Sequence, residues 1–107
     1  MKTHLVSGGC GFVGRNMVKR LYQTTHDRIL FIDDLSIGTH PSGWLQVPLY
    51  RNIRDLEIFG EEERLLFLKA DFRDILHHLQ NNPDWLNTRF GICIPHFSDV
   101  YHFAAIV

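Results

Sequence analysis

Apolar positions along the chain fall into short continuous runs separated by stretches with helical spacing. Leu5-Val6 leads into a glycine-rich turn, Ile29-Leu30-Phe31-Ile32 follows Arg28, and Leu65-Leu66-Phe67-Leu68 precedes Lys69-Ala70. Each reads as a strand. The run at 29–32 is too apolar to leave one face in water, so it predicts a strand buried on both sides, as in a parallel sheet covered by helices. Between the first two runs, Val13, Met17, Val18, Leu21 and Tyr22 share one face of a helix, with Arg15, Asn16, Lys19 and Arg20 on the solvent side. Thr24-Thr25-His26-Asp27 breaks that pattern. After the third run, Asp74 is placed to cap a helix that begins with Ile75, Leu76 and Leu79.

The pattern is weakest from Thr39 to Glu63. Pro41, Ser42 and Gly43 mark a loop, and Pro48 can open a helix carrying Leu49, Ile53 and Leu56 on one face, with Gly60 closing it. Glu61-Glu62-Glu63 reads as a solvated turn. Asn81 to His96 contains Pro83, Trp85, Gly91 and Pro95 and reads as a long connection in which Trp85 and Phe90, with Phe97 just beyond, are packing residues.

The chemistry concentrates at the first turn. Gly8, Gly11 and Gly14 stand at three-residue intervals between a strand and a helix. The first glycine permits the tight turn, the second lets backbone approach a pyrophosphate, and the third lets helix pack close to strand. The helix N-terminus then presents unpaired N–H groups and a partial positive charge to phosphates. A strand-to-helix turn without a ligand is the competing reading. Asp33 and Asp34 end the second run, where an acidic residue can accept hydrogen bonds from a ribose diol and would repel a 2′-phosphate. This favours NAD over NADP, although Asp34 could instead cap the following turn.

Length and composition leave this picture in place. The chain has 107 residues, 45% of them hydrophobic, and a formal charge of -1, which suits one small domain and gives no electrostatic case for nucleic acid. No apolar run approaches the roughly 20 residues that span a bilayer, and Lys2 passes straight into a strand without a signal-peptide pattern. The expectation is a cytoplasmic protein. Cys10 and Cys93 have no metal-ligand or redox spacing and read as reduced thiols; a reactive Cys10, activated by the helix N-terminus, is the alternative. His77 and His78 point about 100° apart on a helix, wrong for two ligands on one metal, and all seven histidines read as structural or surface residues.

Ser7-Gly8-Gly9-Cys10-Gly11-Phe12-Val13-Gly14 resembles the T-G-G-x-G-F-[IV]-G loop of the extended short-chain dehydrogenase/reductases. Phe31-Ile32-Asp33-Asp34-Leu35-Ser36-Ile37-Gly38 resembles their V-D-[DN]-L-S-x-G segment, and Ala70-Asp71-Phe72-Arg73-Asp74 their [GA]-D-[IFL]-R-D. Asp99-Val100-Tyr101-His102-Phe103-Ala104-Ala105 resembles the fourth strand, D-x-[VI]-x-H-[LF]-A-[AG]. The nearest branch by motif is the NAD-dependent epimerase/dehydratase family of nucleotide-sugar enzymes. Ser7 for Thr and Cys10 for a small residue are the loop's departures.

The resemblance implies an α/β fold: the first half of a doubly wound Rossmann sheet, parallel, in the order 3-2-1-4, with flanking helices. It implies cofactor contacts from Gly8, Gly11, Phe12, Val13 and Gly14 in the loop, and from Asp33, Asp34, Leu35, Ser36 and Gly38 after the second strand. Asp71 would accept from the adenine amino group beside Phe72, and Phe103, Ala104 and Ala105 would let the pyrophosphate and nicotinamide ribose lie against backbone. His102 reads as a packed, hydrogen-bonded residue. No catalytic residue and no metal ligand is assigned. The family's Tyr-x-x-x-Lys pair is absent; Tyr50-x-x-x-Arg54 is the near match, and an always-charged guanidinium copies that lysine poorly. The chain therefore reads as residues 1–107 of a longer NAD-dependent epimerase or dehydratase that acts on a nucleotide sugar, without its catalytic half and substrate domain. A homodimer of that longer protein is compatible with this reading. The other reading is a noncatalytic dinucleotide-binding or regulatory module.

Overall fold

Strand side chains alternate between two faces, and the apolar runs of this chain supply both. In the computed structural model, which describes residues 1–103, β1 (Thr3–Ser7), α1 (Phe12–Thr24) and β2 (Arg28–Asp33) form a parallel strand–helix–strand unit. Leu5 pairs with Leu30 and Val6 with Phe31. Further along lie β3 (Leu49–Ile53), β4 (Leu56–Phe59), β5 (Leu65–Lys69), α2 (Phe72–Asn81), α3 (Trp85–Phe90) and β6 (Asp99–His102).

Ile29 and Phe31 of β2 join Leu65 and Phe67 of β5 beneath Val18 and Leu21 of α1. Leu30, Ile32, Leu66 and Leu68 turn to the opposite face, where Ile75 of α2 and Leu86 and Phe90 of α3 cover them. Helices on both sides thus explain why β2 and β5 lack a polar face. The sheet is the middle of three layers. His4, buried near its amino end, bonds through Nε2 to Asp27 Oδ2 at 2.9 Å. Among the described residues no helix is long and apolar enough to cross a membrane.

The sheet has six strands in the order β3-β4-β5-β2-β1-β6, which corrects the order 3-2-1-4 expected for the whole sheet. The reason lies in residues 49–59, where a β-hairpin replaces the anticipated helix. β3 pairs antiparallel with β4, and β4 antiparallel with β5, making the sheet mixed. Leu49, Ile53 and Leu56 fit a helical period, but Leu56 and Ile58 also fit an alternating one, and the unsaturated edge of β5 rewards that pairing with main-chain hydrogen bonds. Arg54 turns the hairpin at φ 55, a left-handed position more often held by glycine or asparagine, so no turn signature announces it. The segments anticipated as strands lie side by side as β5-β2-β1-β6, each pair parallel.

Two smaller corrections follow from capping. Asp71, not Asp74, is the N-cap of α2, its side chain accepting from the Arg73 N–H, while Asp74 falls in the first turn. The connection after α2 holds a helix of its own, α3, closed by Gly91 at φ 71.

Ile58 separates the hairpin from the helix, because it has no exposed surface in β4 and would lie off the apolar face of a helix. Ile58→Ala should therefore cost about 2–5 kcal/mol in urea unfolding, whereas exposed Tyr50→Ala should stay within about 0.5 kcal/mol.

Candidate functional site

The carboxyl ends of β1, β2, β5 and β6 open onto one cavity of about 510 Å³. Gly8 and Gly11 form one wall, Asp33 and Asp34 the next, and Ser36, Ile37 and Gly38 of the loop after β2 continue it. Ala70 to Arg73 close the far side, and His102 and Phe103 the near one.

The three glycines of the first turn are required for different reasons. Gly8 has φ 67, a left-handed conformation. Its N–H and that of Gly9 both donate to the Ile32 carbonyl, at 2.8 and 3.2 Å, tying the turn to the end of β2. A Cβ on Gly14 would stand 2.0 Å from the Gly8 carbonyl oxygen, so α1 approaches β1 more closely than any side chain allows. Gly11 differs. It is the N-cap of α1 at φ -73, and its Cβ would meet only the Gly8 oxygen at an ordinary 3.6 Å. Nothing within the described chain requires glycine there. The first turn of α1 has neither a side-chain cap nor an acidic residue, leaving its positive end uncompensated.

Asp33 occupies the junction of two loops. Its Oδ2 accepts the Cys10 N–H at 2.9 Å and its Oδ1 the Leu35 N–H at 2.7 Å. A carboxylate offers about four acceptor positions, so two remain for a diol. Asp34 accepts the Ser36 N–H at 2.9 Å, which holds its carboxyl below the usual range; it does form the turn that the competing reading allowed. Gly38 packs onto the glycine turn, where its Cβ would be 2.7 Å from the Cys10 carbonyl carbon.

Asp71 serves α2 as cap and Arg73 as ion partner. It accepts the Arg73 N–H at 2.8 Å and the guanidinium at 2.8 and 3.2 Å. The guanidinium first, then the N–H, holds its carboxyl below the ordinary aspartate range. An adenine amino group would share this carboxylate with Arg73. Phe72 packs against His102, ring centroids 5.2 Å apart.

Of the residues anticipated for the cofactor, Gly8, Gly11, Asp33, Asp34, Ser36, Gly38, Asp71, Phe72 and Phe103 come together in the cavity wall. Phe12 and Val13 are exposed at the start of α1, Gly14 and Leu35 stand behind the wall, and Ala104 and Ala105 lie outside the described residues. Arg73 and His102 line the cavity without having been anticipated; both stand inside the quoted motifs, but as positions with no assigned contact. His102 is hydrogen-bonded, as the sequence suggested, with Ser7 as a partner the sequence did not name, and it is exposed rather than packed away. Tyr50 lies exposed on β3, away from the cavity wall. Among the described residues no three His, Cys, Asp or Glu side chains are grouped to hold a metal ion.

Cys10 is fully buried, and burial, followed by the charges of Asp33 and Glu57, pushes its thiol far above the ordinary range. This opposes the activation that proximity to a helix N-terminus suggests. No family model matches the chain.

Two outcomes follow from this geometry. Gly14→Ala should destabilise the fold by about 3 kcal/mol or more, while Gly11→Ala, an N-cap change with room for the methyl, should cost about 1 kcal/mol or less; thermal unfolding of the pair reads the difference. In native protein at pH 8, iodoacetamide should label exposed Cys93 and spare Cys10, with both labelled in urea; mass spectrometry counts the adducts.

Proposed function

We propose that this chain binds NAD, supplying the adenosine and pyrophosphate half of the site of a nucleotide-sugar epimerase or dehydratase. The observation that carries this reading is Gly11. Gly8 is explained by its own backbone and Gly14 by the packing of α1, whereas the missing side chain at Gly11 is explained by a ligand whose pyrophosphate lies against the main chain. The uncompensated start of α1 beside it suits that negative charge.

The parallel strands β5-β2-β1-β6 then act as the mononucleotide half of a doubly wound sheet, with the ligand across their carboxyl ends at the point where the chain crosses from one side of β1 to the other. The two open acceptor positions of Asp33 take the adenosine ribose hydroxyls. Asp33, Asp34 and Asp71 make that end of the cavity acidic, and the guanidinium of Arg73 is already engaged by Asp71, so a 2′-phosphate is disfavoured. Bound NAD supplies reversible hydride acceptance from a sugar carbinol. This chain's own residues hold and orient the nucleotide, and none has the tyrosine–lysine arrangement that would move the hydroxyl proton.

Calorimetric titration of the chain with NAD and NADP tests the proposal. NAD should bind and NADP should bind at least about tenfold more weakly, as expected for a phosphate facing the carboxylates of Asp33 and Asp34. Gly11→Val should keep the far-UV spectrum and melting cooperativity of the parent yet lose NAD. Equal NAD affinity in Gly11→Val, or no heat from a folded parent chain, would overturn it.

A further inference from the structure

Ser7 and His102 sit at the carboxyl ends of adjacent strands, β1 and β6, paired in register. Ser7 has no exposed surface. Among the described residues its Oγ has one hydrogen-bond partner, His102 Nδ1. The proton of a buried hydroxyl needs an acceptor, because leaving it unpaired costs about 1–3 kcal/mol. Nδ1 is the acceptor at hand. Ser7 therefore donates to Nδ1, and the neutral ring carries its own proton on Nε2. With Nδ1 protonated, in the other tautomer or in a doubly protonated ring, Oγ would accept from it instead and the hydroxyl proton would be left without a partner.

The consequence concerns the cavity. His102 lines it and Phe72 packs against its ring, while Nε2, with no partner among the described residues, is left as an N–H donor. Gly8 and Gly11 line the same cavity, with the start of α1 behind them. The acidic groups Asp34 and Asp71 mark the other end. The N–H groups of Gly8 to Gly11 are engaged within the chain, so the donors left for an anionic oxygen at that end of the cavity are the first N–H groups of α1 and this imidazole.

We propose that His102, fixed as its Nε2–H tautomer by the buried Ser7 hydroxyl, is a ligand-binding residue that donates a hydrogen bond to the diphosphate of the bound nucleotide. Ser7 is its positioning residue. The assignment rests on the nucleotide reading given above, and adds to it a contact from β6 that grips diphosphate rather than adenosine.

Long-range proton–nitrogen NMR of the free chain reads the tautomer directly, without ligand. The expected result is a protonated Nε2 and an acceptor-type Nδ1, lost in Ser7→Ala and retained in Ser7→Thr. A protonated Nδ1 in the parent overturns the assignment. Titrations with ADP and with adenosine then locate the contact. His102→Ala should weaken ADP by about tenfold, the loss expected for one hydrogen bond to a charged acceptor, and leave adenosine unchanged. His102→Gln, which keeps an N–H donor, should recover part of that loss and guards against a variant that merely unfolds. Equal weakening of both ligands, or of neither, overturns the contact with diphosphate while NAD binding by the parent stands. No binding of NAD or ADP by the folded parent overturns the nucleotide reading and this assignment with it.

Discussion

The approach of Gly14 to the Gly8 carbonyl is the constraint on which the rest of the architecture depends. With 2.0 Å between that oxygen and the place a Cβ would occupy, α1 can lie directly against the end of β1. That approach sets where Val18 and Leu21 meet Phe31 and Phe67. It also aims the uncapped start of the helix at the mouth of the cavity. A methyl group at Gly14 would lift the helix, open the apolar layer beneath it and move the glycine turn away from the strand ends.

A second layer of main-chain contacts locks that turn in place. The Ile32 carbonyl holds Gly8 and Gly9, the Asp33 carboxylate holds Cys10 and Leu35, and the Cys10 carbonyl holds Thr39. One carboxylate thereby joins the loops after β1 and β2, although its residue type suggests only a surface contact to ligand. At the opposite end, Arg64 is buried, and its guanidinium donates to the carbonyls of Tyr22, Thr25 and Asp27 while lying 4.6 Å from the Tyr22 ring centroid. Those carbonyls include groups left without partners where α1 ends. The start of the helix is thus held by a local glycine contact and its end by a buried cation distant in sequence.

Several features are legible in the sequence because they are local or periodic. Two-sided burial of β2 and β5 follows from unbroken apolar runs, the amphipathic face of α1 from its spacing, and the turn from its glycines. The site is legible in the same way, since each wall of the cavity comes from a strand end, and strand ends are marked by small or acidic residues such as Gly8, Asp33 and Asp71. The hairpin at 49–59 is not legible. Its apolar positions satisfy both a helical and an alternating period, its turn uses Arg54 in place of glycine, and the decision between them lies with the edge of β5, distant from the information in the segment itself.

The sequence by itself determined the strand–turn–helix unit, the acidic end of β2 and the apolar content of the central strands, because backbone conformation and side-chain periodicity are settled within a few residues. Only the tertiary structure decided which glycines the fold itself consumes, leaving Gly11 unexplained by packing. It also decided that Asp71 is shared between a helix cap and Arg73, that Cys10 is sealed from solvent, and that Ser7 meets His102. The Ser7–His102 contact and the burial of Cys10 join parts of the chain far apart in sequence, while the glycine and Asp71 contacts, though local, depend on how α1 and α2 are set against the strand ends over distances of a few ångströms.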